Sequence, residues 1–251
     1  MTLHTVGQIG LLERENASIL NASILTFAQR TIRHFKKAIR ALNLNCPLFL
    51  TQNDGTLTSA AQAARLPIRT FASGPTNSMR GAAFLARMDS ATESGPGTHQ
   101  GKLSIVVDIG GTTTDVGVLL PSGFPRQAAA FIEIGGVRTN FSMADVQSIG
   151  LGGGSRVRVY KTEEGDAVAV GPDSVGHNLI RDAKVFGGDV LTATDIVVAD
   201  GTVDIGDKAR VKDVASDAVQ KSREAVKRLL ERVVDKYVPY FYPQQLIYQE
   251  A

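Results

Sequence analysis

The densest set of groups able to handle an anion is Asp108-Ile-Gly110-Gly111-Thr112-Thr113-Thr114-Asp115. The preceding Ser104-Ile-Val-Val is an apolar run of the kind that forms a buried strand, and it would deliver Asp108 to the strand's end beside a cleft. Gly110 and Gly111 let the backbone fold back so that successive N–H groups converge on one spot, a concavity that holds anions. Thr112, Thr113 and Thr114 add hydroxyl donors at phosphate height, and Asp115 opens a returning strand. Two carboxylates flanking such a turn suit Mg²⁺, which keeps most of its water and binds few protein oxygens. Asp108 or Asp115 could instead orient an attacking water. The sequence has no Gly-x-x-x-x-Gly-Lys-[Ser/Thr] run, so the turn is not a Walker-type P-loop, and it joins strand to strand with no helix N-terminus behind it. A plain hairpin requires neither two glycines with three threonines nor an aspartate on each side.

The elements that must position this turn form an α/β series. Residues 16–44 read as a helix, with Ile24, Ala28, Ile32, Phe35, Ile39 and Leu42 as one apolar stripe. Arg30, Arg33, Lys37 and Arg40 share a second face, read as solvated rather than as a polyanion patch. Leu48-Phe49-Leu50 is a short buried-strand candidate, closed by a turn at Asn53-Asp54-Gly55. A helix at 59–65, a strand at 68–71 and a helix at 77–87 follow. The glycine-rich loop 94–101 is the best internal boundary, separating a mainly helical α/β part (1–93) from a β-rich part (102–251) within one domain. Strands are expected at 104–108, 115–120 and 131–134. Val157 and Val159 alternate with Arg156 and Arg158 into a hairpin turning at Glu164-Gly165-Asp166. A helix over 216–236 carries Val219, Val226, Leu230, Val233 and Tyr237 on one face, with Glu224–Arg228 and Lys227–Glu231 paired outside.

Composition narrows the chemistry. A net charge of 27 − 25 = +2 does not point to nucleic acid or an acidic membrane. One cysteine and four scattered histidines exclude a disulfide scaffold and argue against a zinc site. Cys46 reads as a small buried hydrophobe and His177 as a surface residue. No apolar run is long enough to span a membrane and no secretory leader is visible, so the expected setting is cytoplasmic. Without a Gly-x-Ser-x-Gly elbow a serine hydrolase has no support. Ten of the 25 glycines fall between 105 and 155, which locates the tight backbone around the Asp108–Asp115 turn. Gly152-Gly153-Gly154-Ser155 would admit a ligand closely or make a tight connection into the hairpin. Ser73-Gly74-Pro75 opens a helix and serves equally as anion site or cap.

These residues also carry a resemblance. Asp-x-Gly-Gly-Thr-Thr-Thr-Asp resembles a phosphate loop of the actin-like ATPase superfamily, which includes the sugar kinases. Asn53-Asp54-Gly55, Ser73-Gly74-Pro75 with Gly81-Ala82, Ile149-Gly150-x-Gly152-Gly153-Gly154-Ser155, Val170-Gly171-Pro172-Asp173-Ser174-Val175-Gly176 and Thr192-Ala193-Thr194-Asp195 are similar, in order, to blocks of the hydantoinase A/oxoprolinase family. The resemblance runs over 13–207. It implies a ribonuclease-H-like, actin-like ATPase lobe with a β-rich hairpin insertion and flanking helices. It also implies ATP with Mg²⁺ or another divalent cation, used to open a cyclic amide such as 5-oxoproline or a hydantoin, while related branches carboxylate ketones. By that resemblance Gly110, Gly111, Thr112, Thr113 and Thr114 line the phosphates, Asp108 and Asp115 serve the metal or the water, and Ser73, Gly74, Gly152, Gly153 and Gly154 line the cleft.

The sequence departs from the pattern in three places. It holds one Asp-x-Gly-Gly-Thr element where the superfamily has a second near its N-terminus. Asn77-Ser78 stands where relatives place glycine, and no cysteine-tyrosine pair precedes Gly187-Gly188-Asp189. The expectation is therefore part of a longer A-type polypeptide, with a missing N-terminal lobe or a B-type subunit as partner. A small-molecule kinase or a non-catalytic nucleotide-binding remnant stand as alternatives.

Overall fold

The computed structural model describes residues 10–88, 103–128, 132–134, 136–139, 143–163 and 165–241. In chain order the first elements are α1 (Leu11–Ala41), β1 (Phe49–Thr51), β2 (Leu57–Ser59), α2 (Ala60–Ala63) and α3 (Ser73–Leu85). They are followed by β3 (Ser104–Ile109), β4 (Thr114–Leu119), β5 (Ile132–Ile134), β6 (Val137–Thr139), β7 (Val146–Ile149), β8 (Ser155–Thr162) and β9 (Gly165–Ser174). The last helices are α4 (Leu179–Asp182), α5 (Ala193–Ala199), α6 (Ser216–Val234) and α7 (Val238–Phe241). The architecture is mixed α/β with small sheets, divided into two compact units. The expected loop at 94–101, Phe131 and Glu164 lie outside the described residues.

The first unit takes in 1–104 and 117–146. Its long helix α1 buries Ala17 against Leu66 and Ile68, and Ile32 against Ala60 and Ala63. The buried Asn21 spends its side-chain oxygen on the Ile68 N–H at 3.1 Å, which satisfies a polar group inside this core. Arg30, Arg33, Lys37 and Arg40 are exposed, as a solvated face should be. The expected stripe fails in part towards its C-terminal end: Phe35 and Leu42 are exposed, while Ile39 between them is half-buried. Cys46 is exposed rather than buried, sitting in the connection between α1 and β1.

Three further expectations change here. Residues 68–71 form no strand: Pro67 opens a 3-10 turn (Pro67–Thr70), where its fixed φ and missing N–H are tolerated. Helix α3 starts at Ser73, four residues before the expected 77, since Pro75 falls in its first turn and costs no helical hydrogen bond. β1 and β2 pair antiparallel from Phe49↔Ser59 to Thr51↔Leu57, and Asp54 closes the turn by accepting from the Thr56 N–H at 2.9 Å. β1 is not the buried strand expected of Leu48-Phe49-Leu50, because Phe49 faces out.

The second unit takes in 105–116 and 147–251. Among the described residues its sheet has the order β3-β4-β7, with β4 between the other two. β8 and β9 form the long antiparallel hairpin that the valine alternation predicts, with a bulge between Ser155 and Val157. Leu151, Val157, Val170, Ile196 and Val219 make the core here, with Val226 and Leu230 of α6 packed on it. α6 follows the expected apolar face, and Tyr237 beyond it is buried, its hydroxyl donating to the Val116 carbonyl at 3.1 Å. Lys227 and Glu231 pair at 3.6 Å as expected, while Glu224 accepts from Gln220 at 3.0 Å. Among the described residues no helix is long and apolar enough to cross a membrane.

Candidate functional site

The turn between β3 and β4 is closed by the Gly110 N–H donating to the Thr113 carbonyl at 2.9 Å. Stepping back along the hairpin from that pair, strand alternation sets Asp108 directly opposite Asp115. Residues so opposed share a face with Cβ atoms about 5 Å apart. Both aspartates are half-buried, and Asp115 also accepts a hydrogen bond from the Ser148 hydroxyl of β7. Gly111, Thr112 and Thr113 are exposed, and the Gly111 and Thr112 N–H groups donate to nothing among the described residues. An exposed turn with free N–H groups, threonine hydroxyls and two facing carboxylates can accept a phosphate together with a hydrated divalent cation. That donor set fits Mg²⁺, which needs only one or two carboxylates. Among the described residues no three histidine, cysteine, aspartate or glutamate side chains cluster for a metal held without water.

Thr114 does not join this set. It is fully buried, and its hydroxyl donates to the Leu151 carbonyl at 2.7 Å. The expectation of a third hydroxyl at phosphate height is therefore corrected: alternation turns Thr114 to the face opposite Asp115.

The three consecutive glycines have a steric reason. The Gly153 N–H donates to the Gly110 carbonyl at 3.0 Å and the Gly154 N–H to the Gly111 carbonyl at 2.7 Å, so two turns pack backbone on backbone. A Cβ on Gly152 would meet the Gly110 oxygen at 2.6 Å and the Thr112 nitrogen at 2.7 Å, with no flexible side chain to yield. One on Gly154 would lie 2.9 Å from the Gly111 oxygen. Gly111 itself has open space, as a position facing a ligand would.

Two further blocks hold this pair of turns. Thr194 donates both its N–H and its hydroxyl to the Gly153 carbonyl at 2.9 Å. Thr194 is fixed by a capping box in which the buried Asp195 accepts from the Val185 N–H, the Thr192 N–H and the Thr192 hydroxyl, each at 2.7 Å. On the other side the Val175 N–H donates to the Gly154 carbonyl at 2.9 Å, and the Ser174 hydroxyl reaches Gly111 at 3.4 Å. Nearby, Asp173 receives a bidentate pair from Arg158 at 2.7 and 2.5 Å. Those hydrogen bonds hold the Asp173 carboxyl below the usual range and push the Arg158 guanidinium up. His177 is exposed.

A cavity of about 560 Å³ opens against Gly152, Gly153 and Ile109. Leu151, Ile196, Val226 and Leu230 line it, and Asp200 and Arg223 stand at its rim. Arg223 donates to Asp200 at 2.6 Å and so does the Thr202 hydroxyl; the Thr202 hydrogen bond and then the Arg223 one hold the Asp200 carboxyl below its ordinary value. Sequence reasoning missed this cavity and the Ser148–Asp115 contact. The α6 valines and leucines read simply as core, and nothing local marks where a core stops short of filling. Ser73 and Gly74 belong to the first unit, where Gly74 is exposed with open space around it at the start of α3.

The fold is one already known. An acetone carboxylase in its nucleotide-free structure, from work on ATP-dependent acetone carboxylation, is similar with a TM-score of 0.65 at 20% identity. The likeness covers 93% of this chain and 33% of that one, so this chain spans about a third of the acetone carboxylase polypeptide. No curated protein sequence matches. The family model described as Hydantoinase/oxoprolinase matches residues 14–240, nearly the whole chain. That span takes in the Asp108–Asp115 turn, the glycine turn and the capping box that braces them. The chain belongs to the hydantoinase/oxoprolinase family.

Proposed function

We propose that this chain binds Mg²⁺–ATP on the Gly110–Thr113 turn and belongs to an ATP-dependent enzyme that activates the carbonyl of a cyclic amide, of the 5-oxoproline or hydantoin kind. The observation that carries the reading is the pair of braced turns: among the described residues the Gly111 and Thr112 N–H groups donate to nothing, while the glycine turn behind them is fixed from both sides. Such preorganised donors stabilise charge developing on a transferring phosphoryl group without reorganising. Asp108 and Asp115 would hold the cation through water, and the cation would neutralise phosphate charge. Gly110, Gly111, Thr112 and Thr113 would orient the phosphates. The cavity against Gly152 and Gly153 has the size and apolar lining of a small-molecule site and would take the nucleoside. Phosphorylating the amide oxygen turns a poor electrophile into one that water attacks.

In this reading the second unit is an actin-like ATPase lobe. The cyclic amide and any B-type subunit would meet a larger assembly. One observation favours a second reading, a nucleotide-binding module without turnover: the sequence holds a single Asp-x-Gly-Gly-Thr element.

Calorimetric titration of the purified chain with Mg²⁺–ATP and Mg²⁺–ADP tests the shared core of both readings. Wild type should bind, and Asp108→Ala, shown folded by circular dichroism, should lose at least about tenfold in affinity, as expected when a charge-assisted contact goes. A folded wild type that binds neither nucleotide, or an Asp108→Ala variant that binds equally well, would remove the turn from the function.

A further inference from the structure

Of the two carboxylates beside the phosphate turn, one is itself held. Asp115 Oδ1 accepts the hydroxyl hydrogen of Ser148 on β7. Asp115 Oδ2 and both oxygens of Asp108 accept from nothing among the described residues. The three side chains form a row across one face of the sheet. In the order β3-β4-β7, Asp108 and Ser148 stand on opposite sides of Asp115. Thr114 and Val116 of β4 are buried on the other face, and Ile149, next to Ser148, packs on the core of this unit. Ser148 itself is exposed. A half-buried aspartate without a partner turns easily about its last torsion, whose wells are broad. The Ser148 hydrogen bond removes that freedom. It commits Oδ1 to the β7 side and leaves Oδ2 for the side on which Asp108 stands. A neutral hydroxyl also fixes the carboxylate without cancelling its charge, as a lysine or arginine at 148 would.

We propose that Ser148 is a positioning residue for the divalent cation. Its hydroxyl holds Asp115 so that the remaining oxygen, together with Asp108, takes the water shell of the ion that accompanies the phosphates. This rests on the proposed function, in which the two aspartates hold that ion through water. Partners of this kind matter most where the metal keeps its water, because the protein's grip is then only as good as the aim of its few carboxylate oxygens. Ser148 acts through Asp115 alone and touches neither the nucleotide nor the ion. Removing the hydroxyl should therefore matter only while the carboxylate is there to be aimed.

A double-mutant cycle on the full chain, read by calorimetric titration with Mg²⁺–ATP, tests this. Ser148→Ala should weaken binding about tenfold, the lower end of what losing the partner of a metal-binding carboxylate costs. In an Asp115→Ala background the same change should cost less than about twofold, because the hydroxyl then has nothing to hold. Ser148→Thr keeps the hydroxyl and should recover most of the wild-type affinity. Since Ser148 is exposed, the circular dichroism spectrum and melting temperature of Ser148→Ala should match wild type. Should Asp115→Ala not fold, Asp115→Asn takes its place, since an amide offers the ion no charge to aim. A tenfold loss that persists in the Asp115 variant would make Ser148 a ligand or a structural residue in its own right and overturn the proposal. So would a Ser148→Ala protein that binds as wild type while Asp115→Ala binds weakly, although the aspartates would then still hold the ion. A wild type that does not bind, or an Asp115→Ala protein that binds equally well, would overturn the underlying reading of the site and the proposal with it.

Discussion

At the residue scale, two adjacent threonines of one type do different work, and strand alternation separates them. Thr113 is exposed on the turn, while Thr114 is buried with its hydroxyl spent on the Leu151 carbonyl. Replacing Thr114 by valine keeps the shape but strands that carbonyl in the interior, at a cost of about 1–3 kcal/mol. Thr113→Val removes an exposed hydroxyl and should change stability by less than about 0.5 kcal/mol. Its effect belongs to the ligand: affinity for Mg²⁺–ATP should fall about tenfold, the scale of one hydrogen bond to a charged group. Thermal denaturation and calorimetry on the two variants read this as a crossed pattern, Thr114→Val in stability and Thr113→Val in binding. The opposite pattern would place the phosphates elsewhere. The distinction was open to a reading of the sequence, because residues 113 and 115 must share a face once β4 starts at 114. The identity of the Thr114 acceptor was not, since Leu151 lies 37 positions away.

At the element scale, α5 and α6 matter for what they leave between them. Periodicity identified α6 almost to the residue, yet the same pattern describes a helix face that is filled and one that borders a cavity. Val226→Trp should fill the space beside Ile196 and Leu230 while leaving Gly110–Thr113, which do not line it, unchanged. If the nucleoside occupies that space, Mg²⁺–ATP and Mg²⁺–ADP should both bind more than about tenfold more weakly, the loss of a well-buried apolar group. Inorganic pyrophosphate should bind as before. Unchanged ATP affinity in a folded Val226→Trp protein would move the nucleoside out of this cavity.

The link between the same two helices carries a pH signature. Thr202 and Arg223 hold Asp200 below its ordinary value of 3.8, so its folded pKa is depressed. A depressed carboxyl contributes stability above its unfolded pKa and loses it as pH falls through the folded one. Acid titration of stability should therefore be less steep in Asp200→Asn than in wild type below about pH 4, with the two parallel at neutral pH. Equal slopes in acid would mean that solvent already screens the link. Asp200 and Arg223 are 23 positions apart, and no local pattern announces their pairing.

At the scale of the whole molecule, the ordered glycine blocks were legible in sequence because each serves a backbone constraint that side chains cannot satisfy. Gly152 and Gly154 exist for a backbone-on-backbone contact with Gly110 and Gly111, and Thr194 and Asp195 exist to hold that contact. Less legible were the elements set by what packs on them, such as the 3-10 turn at Pro67 and the exposed end of α1. These same braces bear on catalysis. Under the proposed function they would preorganise one side of a phosphate site, whereas phosphoryl transfer needs the γ-phosphoryl group held against its acceptor as well. This chain supplies a single Asp-x-Gly-Gly-Thr element and spans 33% of the acetone carboxylase chain it resembles in fold. It should therefore bind Mg²⁺–ATP yet release phosphate at no more than about the uncatalysed rate, since binding that does not tighten in the transition state gives no acceleration. Steady phosphate release by the purified chain, abolished in Asp108→Ala, would show instead that one braced turn and two carboxylates suffice for turnover.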